Sequence, residues 1–211
     1  MSALLHTGNL PTDIIAPLRT DFDSLTPSLY KDGSYRLRRY SKFTYNQDSQ
    51  DIELIRGSQF VQSSELNKFQ GDVVRKYDDV SDELLQTEGF LTIVDTFAKQ
   101  GGLPNDATIE VHQMRIVSKD PAKPTITTPE GLHQDGFDRI SMFTVSRQDV
   151  AGGDLCAYQT NDPDSMLVRL PSETGVYCVM DDSELWHYAS ELGTTGESGF
   201  WDLFVLTANL H

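Results

Sequence analysis

Residues 129–138 read Pro-Glu-Gly-Leu-His-Gln-Asp-Gly-Phe-Asp, and the pair His133 and Asp135 in this stretch is the pattern that decides the fold. In an extended strand, residues two positions apart point to the same face, so an imidazole nitrogen and a carboxylate oxygen can converge on one point. His187, in the stretch Glu-Leu-Trp-His-Tyr at 184–188, is the best candidate for a third ligand. Two imidazoles and one carboxylate on one face, with the other positions open, form the facial triad that holds non-haem Fe(II). The spacing therefore predicts a metal centre at these three residues.

A His-X-Asp pair also occurs by chance, and a polar surface turn is the alternative interpretation of this stretch. The surroundings of His187 favour the metal interpretation, because Leu185, Trp186 and Tyr188 form the apolar and aromatic setting of a walled site. The other histidines are His6 and His211 near the chain ends and His112 within a predicted strand. We expect the chain ends to be frayed and His112 to be structural rather than a metal ligand.

Composition limits the classes of partner. Lys and Arg total 17 against 32 Asp and Glu, which gives the 211 residues a net charge of −15. Such a chain repels polyanions, so we expect neither nucleic acid nor membrane as a partner, and solubility is the simplest reason for the acidity. The sequence shows no long apolar run and no charged-then-apolar stretch, so we expect neither a membrane span nor a secretory leader. Cys156 and Cys178 are predicted to be reduced and buried in a cytoplasmic protein.

Alternating strand patterns separated by turn residues dominate the second half of the chain. A helix is predicted over 81–100, with Ser81 as its cap and Gly101-Gly102 as its end, after a shorter helix at 13–18. Strands are predicted at 33–45, 51–55, 59–62, 108–117, 139–147, 155–160, 166–170, 175–180 and 199–208, with a tight turn at 150–154. This order predicts a mainly β fold with helical support (α+β), a double-stranded β-helix or jelly-roll, cupin-like barrel. We expect one domain over 1–211, in which 1–105 supply N-terminal helices and supporting strands and 106–211 the metal-binding core.

Basic residues cluster in the first long strand of this otherwise acidic chain. Arg36 and Arg38 share one face with Tyr40, while Arg39 shares the other face with Leu37. A solvated strand edge, where positive charge discourages aggregation, and a site that captures a small carboxylate both explain this pattern.

Several ordered motifs together resemble a known family. They are Arg36 to Phe43, Val111-His112-Gln113-Met114-Arg115, Gly131 to Gly136, Gly152-Gly153-Asp154 and Trp186-His187. This set, within residues 33–208, resembles the bacterial Fe(II)/2-oxoglutarate dioxygenases that hydroxylate free amino acids, and the isoleucine 4-hydroxylase group in particular. The resemblance implies a jelly-roll fold with His133, Asp135 and His187 as iron ligands. It also implies Fe(II), 2-oxoglutarate as co-substrate, molecular oxygen, and an aliphatic or other small amino acid as substrate.

One position departs from the pattern of that group, which usually has an arginine on the last core strand for the distal carboxylate of 2-oxoglutarate. Here the strand reads Phe-Trp-Asp at 200–202, so Trp201 stands at that position. An indole is uncharged and donates a single hydrogen bond, so it cannot replace a guanidinium. Arg115, with Gln113 beside it, is the first choice for a substitute. The other choices are Arg139, Arg147 and the group Arg36, Arg38 and Arg39.

Trp201 also leaves the function open. Either another cation binds 2-oxoglutarate, or its binding is weak, or the chain no longer uses it. In the last case the chain is a jelly-roll metal-binding module for a small ligand or a 2-oxoglutarate-independent iron enzyme.

The resemblance also suggests how a substrate is held. A free α-amino acid needs a cation for its carboxylate and an acid for its ammonium group. Arg38 is a candidate for the first role, and Glu130 or Asp138, which flank the predicted triad, for the second. A solvated loop carboxylate is the alternative interpretation of both acids. The oligomeric state is not predictable from these patterns.

Overall fold

The structure is a computed structural model that describes residues 4–211. Its helices are α1 (Thr12–Ile15), α2 (Arg19–Phe22), α3 (Asp82–Leu85) and α4 (Glu88–Gly101), with 3-10 turns at Ala16–Leu18 and Pro163–Ser165. Its strands are β1 (Leu5–Asn9), β2 (Arg36–Asn46), β3 (Asp51–Ile55), β4 (Gln59–Phe60), β5 (Arg75–Lys76), β6 (Ala107–Ser118), β7 (Arg139–Gln148), β8 (Val150–Gly152), β9 (Leu155–Tyr158), β10 (Met166–Leu170), β11 (Val176–Asp181), β12 (Trp186–Ala189), β13 (Leu192–Thr194) and β14 (Gly199–Ala208).

A seven-stranded antiparallel sheet forms the main wall, in the order β1-β11-β7-β14-β6-β2-β3. A three-stranded sheet, β10-β9-β12, faces it, and two short pairs, β13-β8 and β4-β5, complete the barrel. The order of the large sheet is not the order along the chain, which is the pattern of a jelly roll rather than a meander. The predicted jelly-roll fold with helical support is confirmed.

The period of two along β14 separates two cores. Phe204 and Leu206 point to the helical side, where the large cluster of apolar side chains includes Phe90 and Phe97 of α4. Trp201 and Leu203 point to the barrel interior, where they pack in a second cluster. The large sheet is therefore covered by helices on one face and encloses the barrel with the other.

The long predicted helix over 81–100 is divided into α3 and α4. Thr87 causes the division, because its hydroxyl accepts from the backbone N–H of Phe90, as an N-cap does, and donates to the carbonyl of Leu84. Ser81 caps α3 as predicted, by accepting from the N–H of Leu84. Gly102, with φ 63°, ends α4 in the left-handed conformation that glycine adopts without strain.

Short strands account for the main errors of the sequence prediction. β1 adds an edge strand to β11, with His6 opposite Val179, in a region expected to be frayed. Residues 150–152, predicted as part of a tight turn, pair with 192–194, and β12 and β13 were not predicted at all. Strands of three or four residues contain too few alternating positions to be recognised. No helix among residues 4–211 is long and apolar enough to cross a membrane.

A candidate metal centre in the barrel

A single β-bridge brings the two histidines of the predicted triad together. The N–H of His133 donates to the carbonyl of His187 (3.1 Å), and the N–H of His187 donates to that of His133 (2.9 Å). Residues directly opposite in an antiparallel pair project to the same face, and here the two ring centroids are 4.2 Å apart. The His-X-Asp stretch thus touches β12 at one point, instead of forming the regular strand that the spacing suggested.

The carboxylate of Asp135 completes the cluster. Its oxygens lie 3.6 Å from Nε2 of His133 and 3.7 Å from Nε2 of His187. The three ligand atoms all lie within 4.8 Å of one another, as a shared ion requires. The structure therefore brings the three predicted ligands together at one point of the barrel.

The other ring nitrogen of each histidine is also positioned. Nδ1 of His133 lies 2.8 Å from the carbonyl of Gly131, which makes this nitrogen the donor and directs Nε2 to the cluster. Nδ1 of His187 lies 3.4 Å from a carboxylate oxygen of Asp182. The contact with Gly131 fixes the tautomer and orientation of the His133 ring, whereas Nδ1 of His187 approaches Asp182 without forming a hydrogen bond. The ring nitrogens that face Asp135 are therefore the ones free to bind a metal.

The ionisation of the cluster suits a cation. Burial by itself raises the pKa of Asp135, but the neighbouring His133 and His187 outweigh burial and hold that pKa well below its usual range. Burial by itself lowers the pKa of His133, and the adjacent Asp135 carboxylate outweighs burial and raises it. Asp135 is consequently an anionic oxygen ligand, while a metal has to displace the proton of His133.

Asp182 organises the turn that carries Asp135. Its fully buried carboxylate accepts the backbone N–H groups of Asp135 (2.9 Å), Gly136 (2.8 Å) and Phe137 (3.1 Å). Gly136 has φ 87°, a conformation that other residues rarely adopt, and it turns the chain around this carboxylate. One buried anion therefore positions the turn of Asp135 and also lies beside His187, 3.4 Å from its Nδ1.

Gln62 contacts the cluster from the opposite side. Its side-chain Nε2 donates to Oδ1 of Asp135 at 2.9 Å. Its Oε1 accepts from Asn67 (2.9 Å) and from Arg75 (3.4 Å). The polar, irregular segment between β3 and α3 thus closes over the candidate metal centre.

A cavity of about 110 Å³ lies beside the cluster. Its apolar lining comes mainly from the interior faces of β6, β7 and β14, and the three candidate ligands form part of its wall. The charged and polar lining includes Arg36, Arg38, Gln62, Arg75, His112, Thr127, Thr128, Glu130, Ser141 and Thr207.

His112 lines this cavity but lies outside the metal cluster. Its ring packs between Tyr40 and Phe60, with ring centroids at 4.8 Å and 4.5 Å. Burial, together with the positive charge of Arg38, lowers the pKa of His112 well below its usual range, so the ring is neutral. Its placement agrees with the structural role expected for it.

Trp201 points into the barrel. It lines the cavity, is 1% exposed, and its indole N–H donates to the hydroxyl of Thr144 (3.1 Å). Arg147, opposite on β7, has its guanidinium 5.7 Å from the indole centroid and donates to the carbonyl of Gly152. The indole therefore fills this end of the cavity, and Arg147 is not part of the lining.

Arg115 and Gln113 lie on the other face of the sheet, which corrects the choice of these residues for the co-substrate. Arg115 pairs with Asp202 (2.6 Å) and Asp23 (2.9 Å), and Gln113 donates to Asp21 (2.7 Å). Because side chains alternate along β6, His112 and Met114 face the cavity, whereas Gln113 and Arg115 face the helical side. Arg115 is a structural arginine in this fold.

The candidate substrate residues are divided in the same way. Arg38 and Glu130 line the cavity. Asp138 does not, because its carboxylate accepts the backbone N–H of Leu210 (2.8 Å) near the chain end. Sequence reasoning missed Asp182, Gln62 and Arg75, since no motif in the sequence links any of them to the triad.

The site agrees with comparisons to known proteins. The family model described as 2OG-Fe dioxygenase matches residues 19–207. The L-isoleucine-4-hydroxylase of Bacillus thuringiensis is 26% identical over 204 residues, 92% of this chain and 82% of that protein. The crystal structure of a bsmA homologue from Methylobium petroleophilum has a TM-score of 0.77 at 25% identity, covering 95% of this chain and 82% of that one.

The IDO protein of Bacillus thuringiensis has the same fold, with a TM-score of 0.73 at 20% identity and coverage of 94% and 83% of the two chains. The family match spans most of the chain and includes all three residues of the metal cluster. The chain therefore belongs to the 2OG-Fe dioxygenases, oxidoreductases that require Fe(II) and 2-oxoglutarate.

Proposed function

We propose that this protein hydroxylates a free, small aliphatic amino acid with Fe(II), 2-oxoglutarate and molecular oxygen. The observation that carries the proposal is the cavity beside the metal cluster, which combines arginines and one glutamate with an apolar lining. A zwitterion with an apolar side chain matches such a mixture of charges. The relative named L-isoleucine-4-hydroxylase supports this class of substrate.

His133, Asp135 and His187 fit an iron ion as its ligands. Two imidazole nitrogens and one carboxylate oxygen, with open positions towards a cavity, are the donor set that suits non-haem Fe(II). The contact of Gly131 with Nδ1 of His133 supports this role, because it directs Nε2 of that ring to the cluster, and Nε2 of His187 faces Asp135 as well.

The fit to 2-oxoglutarate is good at one end of that molecule and unusual at the other. The open side of the cluster leaves room for its keto acid group, whereas Trp201 takes the position at which similar enzymes have an arginine. Iron and 2-oxoglutarate, when bound, supply the oxidant for an unactivated C–H bond, and the co-substrate leaves as succinate and carbon dioxide.

The residues of this chain would hold and orient the substrate. Glu130 is an acid at the cavity wall for an ammonium group, and the neighbouring arginines, including Arg38, offer cations for a carboxylate. Apolar residues such as Met142, Met180 and Val205 would surround the side chain and exclude water. Two buried free cysteines suit a reducing compartment, and we propose the cytoplasm as the site of the reaction.

One observation favours a second candidate, a metal-binding module or iron enzyme that does not use 2-oxoglutarate. The buried indole of Trp201 fills the end of the cavity where the distal carboxylate would otherwise lie. A buried carboxylate without a cation costs several kcal/mol in practice. This candidate requires that no other cation of the chain replaces the missing arginine.

The test is an assay of the protein with Fe(II), 2-oxoglutarate, oxygen and a panel of free amino acids. We expect succinate and a hydroxylated amino acid in equal amounts, and neither product from Asp135→Ala, which lacks the anionic ligand. Turnover restricted to peptides, nucleobases or lipids would contradict the substrate class. Stoichiometric metal without succinate from any amino acid would favour the second candidate.

A further inference from the structure

Three arginines, the buried Arg38 and Arg75 and the partly buried Arg36, form one side of the cavity. Arg36 and Arg38 project from β2, and Arg75 projects from β5, where it lies opposite Phe60 of β4. The guanidinium of Arg75 stacks on the Phe60 ring, 4.4 Å from its centroid, which fixes its orientation. Arg75 is 2% exposed, so its charge is almost fully removed from water.

Arg75 differs from its two neighbours in having no anionic partner among residues 4–211. Arg36 pairs with Asp32 (3.2 Å) and Glu130 (3.7 Å), and Arg38 pairs with Asp32 (3.3 Å). Within the described residues, the Arg75 guanidinium donates one hydrogen bond, a long one of 3.4 Å to the side-chain amide oxygen of Gln62. A buried charge that lacks a counter-charge is costly, and such charges are normally paired or bind a ligand.

Unused hydrogen-bond donors point to the same conclusion. The Nε atoms of Arg36, Arg38 and Arg75 are all buried and have no partner within the described chain. A guanidinium binds a carboxylate through two parallel N–H groups, and Nε is one of the donors in that fork. Three arginines against Asp32 and Glu130 also leave this side of the cavity with one excess positive charge.

Gln62 connects this cationic group to the metal cluster. Its amide accepts from Arg75 at one end and donates to Asp135 at the other, at 3.4 Å and 2.9 Å. One amide group therefore separates the guanidinium from a candidate iron ligand. A small organic acid held at the cluster would lie beside Arg75.

We propose that Arg75 binds a carboxylate of the small organic acid in this cavity, assisted by Arg38. This carboxylate can belong to either of two molecules, as the distal carboxylate of 2-oxoglutarate or as the carboxylate of an amino acid substrate. The inference rests on the proposed function, because that function brings both acids to the cavity. It also supplies a cation for the co-substrate at a place other than the last strand.

The experiment measures binding instead of turnover. Calorimetric titrations under anaerobic conditions use protein loaded with Fe(II), first with 2-oxoglutarate and then, in its presence, with L-isoleucine or L-isoleucinamide. The variants are Arg75→Gln, which removes the charge, and Arg75→Lys, which keeps it without the fork. Arg39→Gln is the matched control, since Arg39 lies on β2 but faces the helical side, where it pairs with Asp21.

We expect Arg75→Gln to lower the binding affinity for one of the two acids about 10- to 100-fold, the loss typical when a charged hydrogen-bonding partner is removed. Arg75→Lys should lose less affinity than Arg75→Gln, and Arg39→Gln should bind both acids as tightly as the wild type does. A lower affinity for 2-oxoglutarate would show that Arg75 binds the distal carboxylate of the co-substrate. A lower affinity for L-isoleucine, together with weak binding of L-isoleucinamide by the wild type, would show that Arg75 binds the carboxylate of the substrate.

Unchanged binding of both acids in Arg75→Gln and Arg75→Lys would overturn the inference alone. A wild type that binds neither acid would overturn it together with the proposed function. Thermal unfolding without ligand separates binding from a structural role. We expect Arg75→Gln to unfold no earlier than the wild type, whereas earlier unfolding with unchanged affinities would show that Arg75 is structural.

Discussion

At the scale of single residues, Asp182 determines whether the three candidate ligands stay in place. Its carboxylate receives three backbone N–H groups from the turn of Asp135 and also approaches His187. No motif in the sequence links Asp182 to that turn, because the contact is between segments 45 to 47 residues apart. The loop geometry therefore depends on a residue that sequence reasoning could not select.

Replacing Asp182 by Asn tests this dependence. The amide keeps the shape but loses the charge and one acceptor, so the turn of Asp135 and the ring of His187 should be held less firmly. We expect the affinity for Mn(II) or Co(II), measured by titration, to fall about 10- to 100-fold, as for other outer partners of metal ligands. Asp181→Asn is the control, because Asp181 pairs with Arg139 instead. Equal metal affinities in Asp182→Asn and the wild type would contradict this role.

Trp201 permits a second test at the residue scale. If Arg75 holds the substrate carboxylate, the distal carboxylate of 2-oxoglutarate lacks a cation, and Trp201→Arg should tighten 2-oxoglutarate binding about 10- to 100-fold. The measurement is an anaerobic titration of the Fe(II)-loaded protein. Trp201→Leu separates the effect of space from that of charge and should give no comparable gain. Tight wild-type binding that Trp201→Arg leaves unchanged or weakens would show that a different residue already anchors the co-substrate.

At the scale of elements, sequence periodicity predicted the long strands well and the short ones poorly. The predictions at 139–147 and 199–208 agree with β7 and β14 within a residue at each end. The bridge between His133 and His187 could not be predicted, because it is a single contact between two non-adjacent segments. The arginines of β2 were recognised as a cluster, but their placement against Asp32 and Glu130 depends on tertiary structure.

The division of the long predicted helix also belongs to this scale. Thr87 both ends α3 and caps α4, so Thr87→Ala should remove the N-cap bond to Phe90. Loss of such a cap typically costs about 1 kcal/mol, and we expect the free energy of unfolding in urea to fall by that amount. Thr92→Ala is the control within α4, where alanine is a better helix former. A Thr87→Ala protein as stable as the wild type would argue against this role of the cap.

At the scale of the whole molecule, the charge distribution is divided between surface and interior. The chain carries a net charge of −15, whereas the cavity wall concentrates Arg36, Arg38 and Arg75. The negative net charge predicts, on general electrostatic grounds, that the protein repels polyanions, but it does not indicate a cationic site in the interior. Arg75 stands in a polar segment without regular pattern, and its burial follows from how that segment closes over the barrel.

The two cysteines report on the integrity of the whole barrel. Cys156 lies on β9 of the small sheet and Cys178 on β11 of the large sheet, and both are free and buried. Burial raises the pKa of Cys178 to about 12, so at pH 8 very little of this thiol is present as the reactive thiolate. A thiol reagent should therefore reach Cys178 mainly when the two sheets separate.

Thiol labelling of Cys156→Ser, which retains Cys178 alone, measures this opening. We expect labelling at pH 8 to be slower than in the urea-unfolded chain by a factor of about a thousand or more, since reaction requires extensive unfolding. The rate should rise with urea in parallel with loss of the fold, and the unfolded wild type should titrate two thiols without a reductant. Labelling of the native protein within tenfold of the unfolded rate would mean that the barrel opens locally around β11, which would contradict a tightly packed sheet at that position.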